Sequence, residues 1–364
     1  MSDRYQGLRD VAKALSLDAI AIVPGANFER IFNASFHQNE RPLVVFVPAS
    51  GKPLAVVPNL ELGSFESLGF EGDVFDWRDQ AGYQPAFDAL IKRANFNRIG
   101  VEGQVMRVFV HHALKQANPS CNIIDAQKDI AALRLCKNAA EIDALRKAIG
   151  VSETALQQTI NQIRVGMTEK QIESILVQSL FSSGADDMSF SPIVAASTNS
   201  AKPHASARHD YEIQPGDALL MDFGARVDGL CADITRTFFI QHCSDEQRAV
   251  YETVLSANVT GCNSVKAGAS AHNVDDATTK VLESSVYKDR IRTKTGHGLG
   301  RDIHEDPYIM RGNHETLKAG MVFTVEPGLY DLGKFGVRIE DDVLVTDSAC
   351  ELLTSFSKEL MCIG

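Results

Sequence analysis

The strongest constraint on the fold is an Asp-Gly pair, Asp228 and Gly229, that separates two apolar segments rich in β-forming residues. Such a pair predicts a hairpin with a two-residue turn. Counting outward along both strands then places Asp222 opposite Thr235. Asp233 lies on the same face as Thr235, with its Cβ atom roughly 7 Å from that of Asp222. At this separation the two carboxylates could chelate one ion.

Acidic residues recur in segments that otherwise resemble buried strands. The residues beside the two aspartates are apolar: Met221, Phe223, Ala232 and Ile234. Glu326 ends another such segment and precedes proline, which keeps it extended, and Glu340 lies in a further strand-like segment. Pairing of these two segments would bring the glutamates together. The alternatives are a solvated face for the aspartates and an ion pair between Glu340 and Arg338. Asp341 and Asp342 are expected at the surface or as hydrogen-bond acceptors behind the acids.

His297 stands among three glycines in Gly-His-Gly-Leu-Gly, which lets the backbone approach closely and leaves the ring accessible. No Gly-Lys-Ser/Thr follows, so a phosphate-binding loop is not indicated, and the His-Glu-x-x-His zinc motif is absent. Four carboxylates with one neutral imidazole carry about four negative charges, which need cations in an apolar setting. The sequence therefore predicts a two-metal hydrolase whose ligands are Asp222, Asp233, His297, Glu326 and Glu340.

The ligand chemistry favours hard or borderline divalent metals. Oxygen ligands with one nitrogen suit Mn²⁺ or Co²⁺, with Zn²⁺ as an alternative, whereas an imidazole makes Mg²⁺ less attractive. Two such ions roughly 3.5–4 Å apart can hold a water and lower its pKa toward about 7. The expected nucleophile is a hydroxide that bridges the metals and attacks a carbonyl, while the metals stabilise the oxyanion.

Length and composition exclude several other classes of protein. A chain of 364 residues predicts two domains, and a net charge of −11 argues against nucleic-acid binding. The sequence contains no run of about 18 apolar residues, so no membrane span is predicted. The first residues are polar and contain no apolar signal segment. The seven scattered cysteines suit a reducing compartment, so we expect a cytoplasmic protein.

The chain changes texture near residue 130. Before it, strand-like segments alternate with helical ones, which predicts an α/β domain over residues 1–130. The predicted strands are Ala19–Val23, Leu43–Val47, Leu54–Val57 and Arg98–Val101, the second and third forming a hairpin, and the helices are Leu8–Leu15 and Phe87–Arg93. After it, capping boxes begin helices at Asn138, Thr168 and Ser244. Residues 131–364 are therefore predicted to be α+β, with helices outside a largely antiparallel sheet.

The five predicted ligands and the residues around them form motifs that resemble, in order and spacing, those of the pita-bread metallopeptidases. This family includes methionine aminopeptidase, prolidase, aminopeptidase P and creatinase, and the motifs cover about residues 200–345. The resemblance implies a C-terminal pita-bread domain and an N-terminal creatinase-like domain. It also implies that Asp222 binds one ion, that Asp233 and Glu340 bridge both, and that His297 and Glu326 complete the second.

Further roles follow only from the resemblance. Glu326 would also carry a proton to the leaving amine, and His304 would steady the tetrahedral intermediate. His204 would line the substrate site, although its sequence setting alone favours a surface position. Arg338 is a candidate substrate-binding residue. The resemblance also implies a homodimer. A short proline-containing peptide is the expected substrate, because the N-terminal domain is shared with the Xaa-Pro peptidases and generally absent from methionine aminopeptidase.

Two departures from the family pattern leave the specificity open. Prolidases often carry a basic residue soon after the His-Glu pair, whereas residues 305–309 here are Glu-Asp-Pro-Tyr-Ile. Relatives often show Asn-x-x-Tyr-Leu near the N-terminus, whereas this chain has Asn27-Phe-Glu-Arg-Ile31. An Xaa-Pro dipeptidase and an Xaa-Pro aminopeptidase both remain open. The alternatives are a non-peptide hydrolase or lyase on the same scaffold, and a metal-free binding protein.

Overall fold

The computed structural model describes residues 3–364, so the first two residues of the polar N-terminal segment lie outside the description. The chain forms two compact units. The first ends at Arg134 and the second runs from Leu135 to Gly364, so the division lies four residues after the position expected from the sequence.

The first unit is a six-stranded mixed sheet with helices on both faces. Its strands are β1 Ala19–Ile22, β2 Val44–Pro48, β3 Leu54–Pro58, β4 Asp73–Trp77, β5 Arg98–Val101 and β6 Asn122–Asp125, in the spatial order β4-β3-β2-β1-β5-β6. Its helices are α1 Gln6–Ala14, α2 Ala26–Phe32, α3 Leu62–Glu66, α4 Gln84–Ala94, α5 Val108–Ala117 and α6 Gln127–Ala131. The apolar residues of α4 and α5 pack on one face, and those of α1, α2 and α6 on the other.

The predicted elements of this unit are confirmed with small shifts at their ends. The four strands are present, and β2 pairs antiparallel with β3 as a hairpin. The helix predicted over Leu8–Leu15 begins two residues earlier, at Gln6. The helix predicted from Phe87 begins at Gln84, because Pro85 is well placed in a first helical turn.

The second unit carries four long helices and several antiparallel sheets. The helices are α7 Ala139–Ile160, α8 Glu169–Ser182, α9 Asp245–Ser264 and α10 Ala271–Glu283. All three predicted capping boxes are formed, at Asn138, Thr168 and Ser244. In each box the cap side chain accepts a hydrogen bond from the third helical residue, and the side chain of that residue accepts one in return.

The strands of the second unit form two main sheets. The strands are β7 Asp187–Met188, β8 Ile193–Ala196, β9 Ala218–Phe223, β10 Ala225–Val227, β11 Leu230–Cys231, β12 Ile234–Ile240, β13 Gly296–Gly298, β14 Glu305–Ile309, β15 Val322–Val325, β16 Gly328–Asp331, β17 Phe335–Arg338, β18 Asp341–Val345, β19 Cys350–Leu352 and β20 Cys362–Ile363. One main sheet has the order β20-β12-β9-β8 and the other β14-β13-β15-β18-β19.

The helices of the second unit cover the outer faces of these sheets. Leu156 of α7 and Leu176 of α8 pack with Leu219 of β9, and Val254 of α9 packs with Phe239 of β12. The α+β prediction, with helices outside a largely antiparallel sheet, is therefore confirmed. Among residues 3–364, no helix is both long and apolar enough to span a membrane.

Candidate metal centre

The aspartate hairpin has the register that the sequence predicts. Asp222 pairs with Thr235 and Val227 with Leu230, so no residue is inserted between the turn and the acids. The turn residue Asp228 has a φ of 53° and the glycine after it one of 77°, as a type I′ turn requires. Gly224 allows the strands to come close, because a Cβ atom there would lie 1.7 Å from the carbonyl oxygen of Ala232.

The two glutamates meet across a second hairpin. Val325 pairs with Asp341 and Gly328 with Arg338, so the same register places Glu326 opposite Glu340. Backbone hydrogen bonds tie this pair to the other site strands. The amide of Glu326 donates to the carbonyl of Thr295, and that of Glu340 to the carbonyl of Thr235, at 2.7 and 3.1 Å. The prediction that pairing of these segments joins the glutamates is confirmed.

His297 lies in β13, between β14 and β15, and its glycine neighbours let these strands pack closely around an imidazole that is itself buried. A Cβ atom at Gly296 would lie 1.9 Å from the carbonyl oxygen of Thr324, and one at Gly298 would lie 2.2 Å from that of Asp306. The imidazole Nδ1 is 3.1 Å from the carbonyl oxygen of Gly298. Since a carbonyl can only accept, Nδ1 carries the proton and Nε2 keeps a free lone pair.

The lone pair of His297 points into a cluster of carboxylates. Its Nε2 lies 3.3 Å from Glu326 Oε1 and 3.7 Å from Asp233 Oδ2. One ligand atom each from Asp233, His297 and Glu340 lie within 4.8 Å of one another, and all three side chains are buried. Such a group of oxygen and nitrogen atoms matches the donor set of a divalent cation.

Two unpartnered oxygens support the same interpretation. Oδ1 of Asp222 and Oδ1 of Asp233 are buried without a hydrogen-bond partner. A buried anionic oxygen without a partner is strongly unfavourable, and a cation is what would satisfy it. The residues present therefore fit a metal centre. The complete set of five ligands stays a prediction.

The electrostatics of the metal-free site point in the same direction. Burial, followed by the charges of the neighbouring carboxylates, raises the pKa of Asp233 and that of Glu340 well above their usual values. Burial also raises the pKa of Glu326 to about 7. Burial lowers the pKa of His297 to about 3, so the imidazole is neutral near pH 7. The raised pKa values mean that these carboxylates bind protons more tightly than usual, and a bound cation would take the place of those protons.

Arg338 contacts Asp222 and not Glu340. Its Nη2 donates to Asp222 Oδ2, while Nη1 donates to Tyr330 Oη at 2.8 Å and Nε to Thr235 Oγ1 at 3.1 Å. The alternative of an Arg338–Glu340 ion pair is therefore wrong. The substrate-binding role stays a prediction, and this placement favours a role in orienting Asp222.

The residues behind the ligands are more deeply buried than the sequence indicated. Asp341 and Asp342 are not at the surface, since their exposed fractions are 1% and 0%. Asp342 Oδ2 accepts a hydrogen bond from the backbone amide of Asp233 at 3.1 Å. Of the two alternatives, a surface position or an acceptor behind the acids, the second is therefore confirmed for Asp342. Asp341 is paired with Arg236 and Lys358, at 2.8 and 2.7 Å.

Sequence reasoning missed Thr235 and Arg236 as parts of the site. Thr235 Oγ1 donates to Glu340 Oε2 at 2.5 Å. Arg236, 1% exposed, donates to the carbonyl of Glu340 at 2.5 Å. The available signal was an arginine in the middle of an otherwise apolar strand, where an unpaired charge is not tolerated.

Of the two histidines assigned by resemblance, His304 lies directly beside a side chain of the centre. The ring of His304 is 4.1 Å from that of His297, centre to centre. Both His304 and His204 are exposed. Burial of part of the imidazole lowers the pKa of His304, and the charges of Lys294 and His204 add to this effect. The catalytic and substrate-binding roles of both histidines stay predictions.

The carboxylates lie on two hairpins, and a histidine from a third segment meets them. In this α+β fold, such a centre defines the protein as a metallopeptidase of the pita-bread type. Comparison with known proteins gives the family. Residues 143–347 match the model of metallopeptidase family M24, and residues 4–136 match the creatinase/prolidase N-terminal domain. The chain belongs to metallopeptidase family M24, and both domains predicted by resemblance are confirmed.

The similar proteins are described as peptidases of related kinds. The putative dipeptidase YkvY of Bacillus subtilis (strain 168) is 30% identical over 89% of each chain. The prolidase structure from Thermococcus sibiricus has a TM-score of 0.94 at 32% identity, covering 100% of both chains. The X-Pro aminopeptidase from Thermotoga maritima MSB8 has a TM-score of 0.86 at 28% identity, also over 100% of both.

Proposed function

We propose that this protein is a metal-dependent peptidase that cleaves the Xaa-Pro bond at the N-terminus of dipeptides or short peptides. The observation that carries the proposal is the buried group of Asp233, His297 and Glu340, with unpartnered carboxylate oxygens beside it. Support for the substrate class comes from relatives described as a prolidase and an X-Pro aminopeptidase.

We propose that the five ligands hold two divalent ions, Mn²⁺ or Co²⁺ with Zn²⁺ as an alternative. When bound, the ions would supply a hydroxide nucleophile and a positive field for the developing oxyanion. The unpartnered oxygens of Asp222 and Asp233 support the presence of two ions, since each oxygen can contribute a further ligand atom. Arg338 holds the other oxygen of Asp222 in place.

The remaining side chains would bind the substrate and move the proton. A carboxylate oxygen of Glu326 accepts a proton from the attacking water and donates it to the proline nitrogen as the peptide bond breaks. His304, beside His297, donates a hydrogen bond to the tetrahedral oxygen. His204, which is also exposed, lies against the substrate and acts electrostatically on His304.

Two further expectations belong with this proposal. The cysteines within residues 3–364 are all free thiols, which supports a cytoplasmic location. A homodimer is expected from the resemblance, and size-exclusion chromatography with light scattering measures it directly.

The experiment is hydrolysis of Ala-Pro and Ala-Pro-Pro by protein that has been stripped with a chelator and reloaded with Mn²⁺ or Co²⁺. We expect activity only after reloading, and a loss of at least about 100-fold in Asp233→Asn. Activity that survives both chelation and this substitution would contradict the proposal. Two bound metals without cleavage of any proline peptide would indicate a non-peptide hydrolase or lyase, and no metal uptake would indicate a binding protein.

A further inference from the structure

Glu169 is a buried carboxylate that the proposed reaction does not use. It is the first residue of α8, and its exposed fraction is 0%. An ionised carboxylate is tolerated in such a position only where hydrogen bonds and a counterion replace the water that it has lost. The donors that surround Glu169 are therefore the groups that its charge holds in place.

Five hydrogen bonds join Glu169 to the two ends of one loop, residues 197–208, which follows β8. Its Oε1 accepts from the backbone amide of Ala196, the last residue of β8, at 2.6 Å and from Arg208 Nη2 at 2.8 Å. Its Oε2 accepts from the backbone amide of Arg208 at 2.7 Å, from Arg208 Nε at 3.0 Å and from Asn199 Nδ2 at 3.0 Å. One carboxylate thus holds the beginning and the end of this loop together, with the guanidinium of Arg208 as its counterion.

The middle of the 197–208 loop is tied to the strands of the metal centre. β8, from which the loop begins, pairs with β9, so that Ile193 lies opposite Asp222. Arg338 Nη1 donates to the carbonyl of Pro203 at 3.4 Å, and Nη2 of the same guanidinium donates to Asp222. His204 is the residue that follows. Because its side chain is exposed, the backbone of the loop determines where its imidazole lies.

We propose that Glu169 is a positioning residue that holds His204 at the place where it contacts the substrate, by closing the 197–208 loop on the end of β8. The inference rests on the proposed function, in which His204 lies against the substrate. Glu169 itself touches neither the substrate nor the proposed metal ligands, so its effect on the reaction passes through the loop. A displacement of about 1 Å in such a group can lower the rate by about 100-fold.

The first part of the test measures the loop itself and needs no activity. Glu169→Gln keeps the shape of the side chain, but its NH₂ group would face donors at one of the two oxygen positions, so that those hydrogen bonds are lost. Hydrogen exchange of the amides of residues 196–208, followed by mass spectrometry, should then become at least about 10-fold faster than in the wild type. Exchange in α9 should not change.

The second part is a double-mutant cycle on the metal-loaded enzyme. It uses wild type, Glu169→Gln, His204→Ala and the double variant, with whichever of Ala-Pro and Ala-Pro-Pro the wild type cleaves faster. We expect each single substitution to lower kcat/KM by about 10- to 100-fold with unchanged metal content. The double variant should match His204→Ala within about twofold, because Glu169 acts only through His204. Glu169→Asp keeps the charge and should restore part of the activity.

The matched control is Glu173→Gln, which removes a carboxylate one turn later in α8, where it pairs with Lys170 of the same helix. It should change neither loop exchange nor kcat/KM. If Glu169→Gln does not fold, Arg208→Lys replaces it in both parts, since it keeps the counterion but not the two-pronged contact.

Two results would overturn the positioning role: unchanged exchange of the 197–208 loop in the variant, or losses that multiply in the double variant, as for two independent structural defects. A metal-loaded wild type that cleaves no proline peptide would contradict the proposed function instead. In that case the exchange measurement still decides whether Glu169 holds the loop.

Discussion

Replacing Glu326 by glutamine should stabilise the metal-free protein while abolishing its activity. The substitution keeps the shape of the side chain and removes one negative charge from the group formed with Asp233 and Glu340. In the absence of metal this charge is poorly solvated, because burial is the main cause of its raised pKa, and it is also repelled by the carboxylate of Asp222. With metal, the proposed role of the same charge is that of a ligand and a proton carrier, so the variant should be inactive.

The size and pH dependence of the effect follow from the raised pKa. For Glu326 the value rises from 4.5 to about 7, a difference of about 2.5 pH units at about 1.36 kcal/mol each. A carboxylate whose pKa is raised by folding binds its proton more tightly in the folded state, so wild-type stability falls as the pH rises between these two values. Glutamine does not titrate. The variant should therefore gain up to about 3 kcal/mol over the wild type at pH 7.5 and almost nothing at pH 4.5.

Hydrogen exchange of the backbone amides of β15, followed by mass spectrometry, is the appropriate assay. The single tryptophan, Trp77, lies in the first unit and its fluorescence would report that unit instead. Both proteins are stripped with a chelator and compared at the two pH values. Glu252→Gln, at an exposed position of α9, is the control and should behave as the wild type.

Metal should reverse the order of stability. An ion at 1,000 times its dissociation constant stabilises the folded state by about 4 kcal/mol, and a variant with one ligand fewer should gain less. If the metal-free variant is less stable than the wild type at pH 7.5, or if the difference is the same at both pH values, the argument from the burial and repulsion of this carboxylate is refuted.

Three further substitutions test the framework around the centre. Arg236→Met should destabilise the second unit by about 3–5 kcal/mol in urea unfolding, because it leaves a buried acid with one partner fewer; a loss below about 1 kcal/mol would contradict this. Gly224→Ala should prevent metal uptake, measured by elemental analysis, because its Cβ atom would meet the carbonyl oxygen of Ala232 at 1.7 Å. Ser244→Ala should lower the unfolding free energy by about 1 kcal/mol and Ser244→Asp should not; equal effects would exclude a capping role.

Local sequence patterns predicted the elements that carry the site. The Asp-Gly turn determined the pairing of Asp222 with Thr235, because a two-residue type I′ turn leaves no freedom of register. The three capping boxes located the helix starts to the residue for the same reason: donor and acceptor lie within one turn. Where a predicted boundary shifted, as at the first residue of α1, the position of that boundary depended on packing.

Contacts between distant segments could not be inferred in this way. Arg338 and Glu340 share a strand face, yet the guanidinium pairs with Asp222, 116 residues earlier in the chain. Asp341 was expected at the surface or as an acceptor behind the acids, and it is buried because Arg236 and Lys358 approach it from two other segments. Each of these partners is chosen by how the sheets and the C-terminal segment pack.

The sequence by itself determined the strands that carry the candidate donors and the register of the aspartate hairpin, since these depend on residue type and on neighbours a few positions away. Only the tertiary structure decided which charges are neutralised inside the protein and which remain exposed. Arg236 illustrates the difference. It is buried with its charge paired to Asp341, which lies 105 residues away, and no neighbour in its own strand indicates that partner.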